Sequence, residues 1–326
     1  MSRVRVSHRV EYLFVVSTAA LVVRLPEPIA HGLGTLLGWI AGSILRIRRG
    51  VVLENLACAF PDRSDRWRRK VAGATYRHFG REAVSILRFP HMSGEEIRAR
   101  CQVDGLDFLR GPIEDGCGVI GLAGHFGNWE IAALSATARG VPVAALARRQ
   151  RNPLFDQYMK QVRDSLDIQG IPHSEATRGI LRCLKEPTVV ALVADQNYAG
   201  NGVFVDFFGF PASTARGPGV IASRTGVPVV FGDPRRLPGW RATYLVRFSS
   251  LEYESTDDTD ENVRRVTSAY LAKLEGAVRE SPEQYFWFHK RWKTRPPRSE
   301  PQLSQAVADG GPERLVGREQ SGGGVA

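Results

Sequence analysis

The sequence predicts an α/β protein, a largely parallel central sheet flanked by helices, preceded by an N-terminal helical region that associates with a membrane. Three observations carry that expectation. Short apolar runs at residues 118–123, 141–147, 188–194 and 227–232 alternate with helical stretches at 131–139, 153–166, 176–185 and 219–225, the order of strand-crossover-strand units. Two further apolar runs, 12–23 and 29–45, sit near the N-terminus, and each is closed by arginine: Arg24 after the first, Arg46, Arg48 and Arg49 after the second. The 326-residue chain is 43% hydrophobic, as a folded protein is, and carries a net charge of +10, which draws it to anionic surfaces.

In chain order, Arg3, Arg5 and Arg9 precede the first apolar run, and Glu11 stands just before it. Neither run reaches the roughly 20 clean apolar residues of a spanning helix. A monotopic anchor lying in the interface is expected instead, where apolar burial and attraction to anionic lipid add. A buried helical pair in a soluble core is the alternative; Trp39 and the arginines at the run ends favour the interface. No small-residue cleavage site follows cleanly before the prolines, which argues against a signal peptide. Residues 54–62 read as the turn-forming end of a short helix. Residues 65–89 form a basic amphipathic helix with Val71, Ala74, Thr75, His78, Phe79, Ala83, Ile86 and Leu87 at three- and four-residue spacing, His78 belonging to its packing face. Beyond the alternating region, 241–248 reads as an additional strand and 261–279 as a long amphipathic helix. The expected organisation is 1–50 as membrane-associating helices, 51–295 as the α/β domain, and 296–326 as a disordered tail rich in Pro, Gly, Ser and charge.

Several functions are argued against by missing or misplaced motifs. Gly116, Gly118 and Gly121 match GxGxxG but lead into an apolar run instead of following one, so they read as a turn before a strand and not as a dinucleotide site. There is no GxSxG elbow, no GKS or GKT phosphate loop and no HExxH spacing. Cys58, Cys101, Cys117 and Cys183 form no CxxC pair, so neither a disulfide framework nor a metal site is expected. Arginine is spread through the chain without zinc-finger spacing or an aromatic RNA-binding signature, and nucleic acid is not an expected partner.

The stretch that carries chemistry is Gly124-His125-Phe126-Gly127-Asn128-Trp129-Glu130, at the junction of an apolar run and a helix. Unpaired N–H groups at a helix start favour negative charge, and the glycines admit a close approach to the backbone. His125 there suits a general base, or it merely caps the helix with Glu130 exposed behind it. Within one helix the two would lie about 140° apart. His125 must therefore precede the helix and turn back, with Glu130 accepting a hydrogen bond from the imidazole, selecting its tautomer and freeing the other nitrogen to take a proton.

At this point the sequence resembles a family. The block from Gly124 to Glu130 is similar to the HxxxxE block of the bacterial lipid A late acyltransferases, a branch of the lysophospholipid and glycerolipid acyltransferase superfamily. Further blocks resemble the same family in the same order: Arg148, Asn152 to Asp156 and Arg163; Asp195 to Tyr198 and Phe204 to Ala212; then Pro282 to Tyr285, Trp287, His289 to Arg291 and Lys293 to Pro296. Asn55-Leu56 and Phe60-Pro61-Asp62 are similar too, so the resemblance spans nearly everything but the tail. It implies transfer of a fatty acyl group from an acyl carrier protein thioester, or from acyl coenzyme A, to a hydroxyl of a membrane glycolipid, without a cofactor. It also implies the cytoplasmic face of a bacterial inner membrane, with acyl carrier protein, the glycolipid and the anionic membrane surface as partners. Residue by residue, His125 is the implied general base and Glu130 its orienting partner. Arg163 holds an anionic substrate group, and Asp195 has a structural or orienting role. Arg148 is a phosphate-binding candidate or a surface arginine. Backbone N–H groups near Gly127 are candidate oxyanion donors. Phe204, Phe207, Phe208 and Phe210 line an acyl groove or pack the core. The phosphatidylinositol mannoside acyltransferases are close relatives that typically carry Asp in place of Glu130, which leaves their acceptor class as the alternative; a non-catalytic lipid-binding protein is the alternative of another kind.

Overall fold

The computed structural model describes residues 5–147 and 151–297. Helices come first: α1 (Val6–Arg24), α2 (Glu27–Trp39), a π-helical turn (Ile40–Ile44), α3 (Arg49–Ala59) and α4 (Asp65–Arg88). Because α1 begins at Val6, well before the apolar run at 12, it is 19 residues long and apolar enough to cross a membrane, where the run alone fell short. Little of it is covered: Val6, Val10, Leu13, Phe14 and Leu21 are all exposed. Both its ends are nevertheless tied down. Arg88 donates to the carbonyls of Val22 and Leu25 at 2.7 and 3.0 Å, and Asn152 donates to His8 O at 2.8 Å. α2 crosses α4 backbone to backbone: a methyl added at Gly38 would lie 2.1 Å from Tyr76 O, and one at Gly80 2.1 Å from Gly34 O.

The α/β part follows: α5 (Gly94–Arg100), β1 (Cys101–Asp104), α6 (Asp107–Glu114), β2 (Val119–Ala123), α7 (Trp129–Thr137), β3 (Val143–Ala147), α8 (Pro153–Ser165), β4 (Ile168–Pro172), α9 (Ala176–Lys185), β5 (Val189–Val193), β6 (Val203–Phe207), β7 (Phe210–Thr214), α10 (Gly217–Thr225), β8 (Val229–Arg236), β9 (Tyr244–Ser250) and α11 (Thr259–Glu280). Seven strands form one sheet in the order β1-β9-β8-β2-β5-β3-β4. Every neighbouring pair in it is parallel except β8 with β9, so the expected largely parallel sheet is present. Alternate residues serve opposite faces. Ile120, Leu122, Val190 and Leu192 pack with Leu271 and Leu274 of α11, while Val119, Val189 and Val230 pack with Ile131 and Leu134 of α7. Burial on both faces explains why these strands read as unbroken apolar runs.

β6 and β7 form a separate hairpin whose two turn residues, Phe208 and Gly209, have φ of 57° and 77°. Two left-handed residues suit a two-residue hairpin turn. Phe208 is held in that conformation by its surroundings: its N–H donates to Glu275 at 2.6 Å, and its ring packs on Phe60 and Trp287 beneath the Arg279 guanidinium.

Candidate active site

The site forms at the C-terminal ends of the central strands β2 and β5, where ligands of open parallel sheets bind. Ala123 and Val193 are register partners, and His125 and Asp195 follow them by two residues each. Equal offset on adjacent parallel strands brings the two side chains together. Asp195 Oδ1 accepts from both the backbone N–H and the ring Nδ1 of His125, at 3.1 and 2.6 Å. Burial of Asp195 opposes its charge, but the His125 ring and these hydrogen bonds outweigh it and hold the carboxyl below the usual carboxylate range. An ionised carboxylate only accepts, so Nδ1 carries the proton and Nε2 is left with a lone pair. The side-chain nitrogen of Gln196 lies 3.2 Å from that Nε2.

The loop holding His125 is strapped by the C-terminal segment. His125 O accepts from Phe286 N at 2.9 Å, and Gly127 N donates to Gln284 O at 2.8 Å. Gly127 has φ of 56°, and an added Cβ would fall 1.6 Å from Pro234 O, so no other residue fits there. Asn128 caps α7 by accepting from Ile131 N, while its amide donates to the buried Glu82 at 2.6 Å. Glu82 also binds Arg236 and the Tyr244 hydroxyl, and His78 of the same helix lies 3.4 Å from Gly127 O. Asn55 extends the strap, donating to the carbonyls of Trp287 and His289 at 2.8 and 2.7 Å.

His125, Trp129 and Glu130 line a cleft of about 700 Å³ with Ala133, Leu146, Ile180, Ala191, Leu192, Val193 and Ile221. Beside it, an apolar space of about 60 Å³ shares Trp129, Ala133, Ala191, Leu192 and Val193 and runs between α7 and the sheet past Ala132, Ala136, Val143, Val189 and Phe248. A polar cleft of about 990 Å³ is lined by Lys160, Arg163 and His173 together with Asp156 and Asp164. His173 belongs to the walls of both large clefts.

The structure rearranges several of the expected contacts. The carboxylate on the imidazole belongs to Asp195, not Glu130, because neighbouring strand ends approach more closely than the first turn of a helix can fold back. Asp195 accordingly sits beneath the ring and not on the cleft wall. Glu130 opens onto the cleft, yet protein crowds it enough that lost hydration pushes its pKa up, against the pull of the Trp129 side chain, Arg163 and His125. The Gly127 N–H is already bound to Gln284 and is not free for an oxyanion. None of the four phenylalanines lines the cleft. Phe207 and Phe208 are buried in the main core against Trp292 and Trp287, Phe210 packs on Trp292, and Phe204 lies in the hairpin with its carbonyl bound by Arg264. Arg148 lies outside the described residues. Gln196, Gln284, Asn128 and Glu82 escaped the sequence reading as site residues. Gln196 and Gln284 stood inside blocks quoted for resemblance, whereas Glu82 gave no signal in a basic helix. Among the described residues no cluster of three or more His, Cys, Asp or Glu side chains is placed to hold a metal.

An imidazole whose Nδ1 is held by a buried carboxylate at the wall of a cleft is an arrangement suited to taking a proton from a bound substrate, as an enzyme's general base does. The family model described as bacterial lipid A biosynthesis acyltransferase matches residues 2–294, and the chain belongs to that family. It is similar to a lipid A biosynthesis lauroyltransferase of Escherichia coli (strain K12), 28% identical over 284 residues covering 85% of this chain and 89% of the relative. A lipid A biosynthesis palmitoleoyltransferase of the same organism is also 28% identical, over 85% of this chain and 89% of its own length. A phosphatidylinositol mannoside acyltransferase of Mycobacterium tuberculosis (strain CDC 1551 / Oshkosh) is 24% identical over 67% of this chain and 69% of its own. The protein is an acyltransferase, and transfer to a glycolipid is the activity its relatives share by name.

Proposed function

We propose that the protein moves a fatty acyl group from an acyl carrier protein thioester to a hydroxyl of a lipid A precursor or a closely similar glycolipid, with His125 as general base and no covalent enzyme intermediate. The observation that carries this reading is the 2.6 Å contact between His125 Nδ1 and Asp195, which leaves Nε2 as the base at the cleft. The acceptor hydroxyl gives its proton to Nε2 as its oxygen attacks the thioester carbonyl carbon. Collapse of the tetrahedral intermediate breaks the C–S bond, and the departing sulfur takes the proton back from the imidazolium. The acyl chain lies along Trp129, Ala133, Ala191 and Val193 toward the apolar space under α7. Arg163 and Lys160 hold an anionic group of the acceptor in the polar cleft. Glu130, between the two, positions the acceptor rather than the base. The exposed apolar residues of α1 dock the enzyme on the cytoplasmic face of the inner membrane.

The test uses purified enzyme, an acyl carrier protein thioester and a membrane lipid extract, with new lipid followed by mass spectrometry. Replacing His125 with Ala is expected to lower transfer by roughly 10²- to 10⁴-fold while folding and membrane association persist. Near-normal transfer by that variant overturns the mechanism. Comparing lipids of a deletion strain with those of its parent identifies the acceptor by the species that loses acyl mass.

A further inference from the structure

The amide of Gln196 has no role in the proton transfers above, yet it occupies the reacting atom. Its nitrogen lies 3.2 Å from His125 Nε2, the lone pair to which the acceptor hydroxyl must donate. The backbone around it is fixed on both sides. Asp195 accepts twice from His125; Asn197 N donates to His289 Nε2 at 3.0 Å, and the Asn197 amide exchanges hydrogen bonds of 3.0 and 2.9 Å with Thr294. Burial lowers the pKa of His289 and so keeps it in the neutral form that can accept from Asn197. The Gln196 side chain itself is half-buried and, among the described residues, has this one hydrogen bond, so it can swing on its flexible stem without disturbing the loop. Two backbone donors of the same loop are already committed, His125 N–H to Asp195 and Gly127 N–H to Gln284. The negative charge that develops on the thioester oxygen within reach of Nε2 needs a donor, and the Gln196 amide already stands at that nitrogen.

We infer that Gln196 is a catalytic residue with two positions. In the resting enzyme its N–H covers the lone pair of His125 Nε2; when the acceptor hydroxyl takes that lone pair, the displaced amide turns its N–H to the thioester carbonyl oxygen and stabilises the tetrahedral intermediate. The bonds are those of the transfer itself: O–H and C–S break, C–O and S–H form, and the amide neither gains nor loses a proton. The inference rests on the acyl-transfer reading and adds the source of oxyanion stabilisation to it.

Gln196→Ala and the nearly isosteric Gln196→Glu test it, in the purified enzyme with an acyl carrier protein thioester and lipid extract. Both remove the N–H, so both are expected to lower kcat by roughly 10²- to 10³-fold, with KM for donor and acceptor little changed and the melting temperature kept. Slow thioester hydrolysis in the absence of acceptor should fall in parallel, which loss of an acceptor-orienting group alone would not cause. If Gln196→Ala fails to fold, Gln196→Glu decides. A kcat equal to or above wild type in a folded variant overturns the inference, since the amide then only covers the base. Failure of the wild-type enzyme to transfer any acyl group would instead count against the acyl-transfer reading.

Discussion

In the proposed mechanism His125 acts as a base only while Nδ1 keeps its proton, and Asp195 secures this by accepting from both the ring and the backbone of the same residue. In Asp195→Asn the amide turns a donor toward Nδ1 or offers a neutral acceptor, and in the first case the wrong tautomer forms. Loss of up to about 10⁴-fold in kcat with an unchanged melting temperature is expected; a rate within tenfold of wild type would reduce Asp195 to a packing residue. His125 itself was legible in the sequence, because its strand-to-helix setting and the blocks around it agree. Asp195 was legible only through the resemblance, as a structural or orienting residue, and not as the carboxylate on this ring. The two residues are 70 apart in the chain, and nothing local says that β2 and β5 are neighbours, so nearness in sequence lent the role to Glu130. For the phenylalanines the sequence left groove and core packing open, because apolar character marks burial without saying which cavity; Phe207 and Phe208 are in the core, whereas Phe204 and Phe210 are only partly buried.

At the scale of elements, the proposed function gives α7 a part in both catalysis and selection. Its first turn carries Glu130, and its inner face presents Ala132, Ala133 and Ala136 to the sheet, leaving the apolar space beside the cleft. Ala136→Phe should fill the far end of that space, lowering kcat/KM for long acyl chains more than for short ones in a competition between thioesters. Equal effects at all lengths would place the chain elsewhere. α2 has an acid-sensitive dock. Burial of Glu27 opposes its charge, but Arg100 and the Ala242 N–H outweigh it and bring its pKa to about 2; burial, with Arg236, brings that of His31 down to about 4. Both folded values lie below the unfolded ones of 4.5 and 6.5, so the unfolded chain binds more protons as the pH falls. Stability is therefore expected to drop from pH 6.5 toward 4 through His31 and from 4.5 toward 2 through Glu27. Urea midpoints measured across that range should fall less steeply in His31→Gln than in wild type over its upper part. The apolar runs revealed β2, β3, β5, β8 and β9, whereas β1 and β4 of the same sheet escaped, as did the hairpin strands β6 and β7. β4 is Ile-Gln-Gly-Ile-Pro and β1 has only four residues, so both exist by pairing at the sheet edges more than by their own preference.

Among the described residues, the uncovered large apolar side chains concentrate in α1, α2 and the turns after it: Val6, Leu13, Phe14, Leu21, Leu33, Leu37, Trp39, Ile44, Leu45 and Ile47, with Arg46 and Arg48 also exposed. So many exposed apolar residues near the N-terminus of a chain with net charge +10 suit an anionic bilayer. Its relation to the site follows from α8. Asn152 at the cap of α8 binds His8 and Glu11 of α1, Tyr158 packs on Tyr12, and Arg163, further along the same helix, lines the polar cleft. Under the proposed function, a glycolipid whose tails stay in the membrane beside α1 places its head group along α8 toward His125. The double substitution Leu13→Asp and Phe14→Asp removes two of the exposed apolar groups and adds two like charges to an anionic surface. Binding to phosphatidylglycerol vesicles should weaken by roughly 100-fold or more, while kcat on detergent-dispersed acceptor stays near wild type, because neither residue reaches the cleft. Unchanged vesicle binding would assign docking to α2 and its following turns instead. Loss of kcat in detergent as well would mean that α1 supports the α8 wall itself, and the contacts of Asn152 with His8 and Glu11 would then be the place to look.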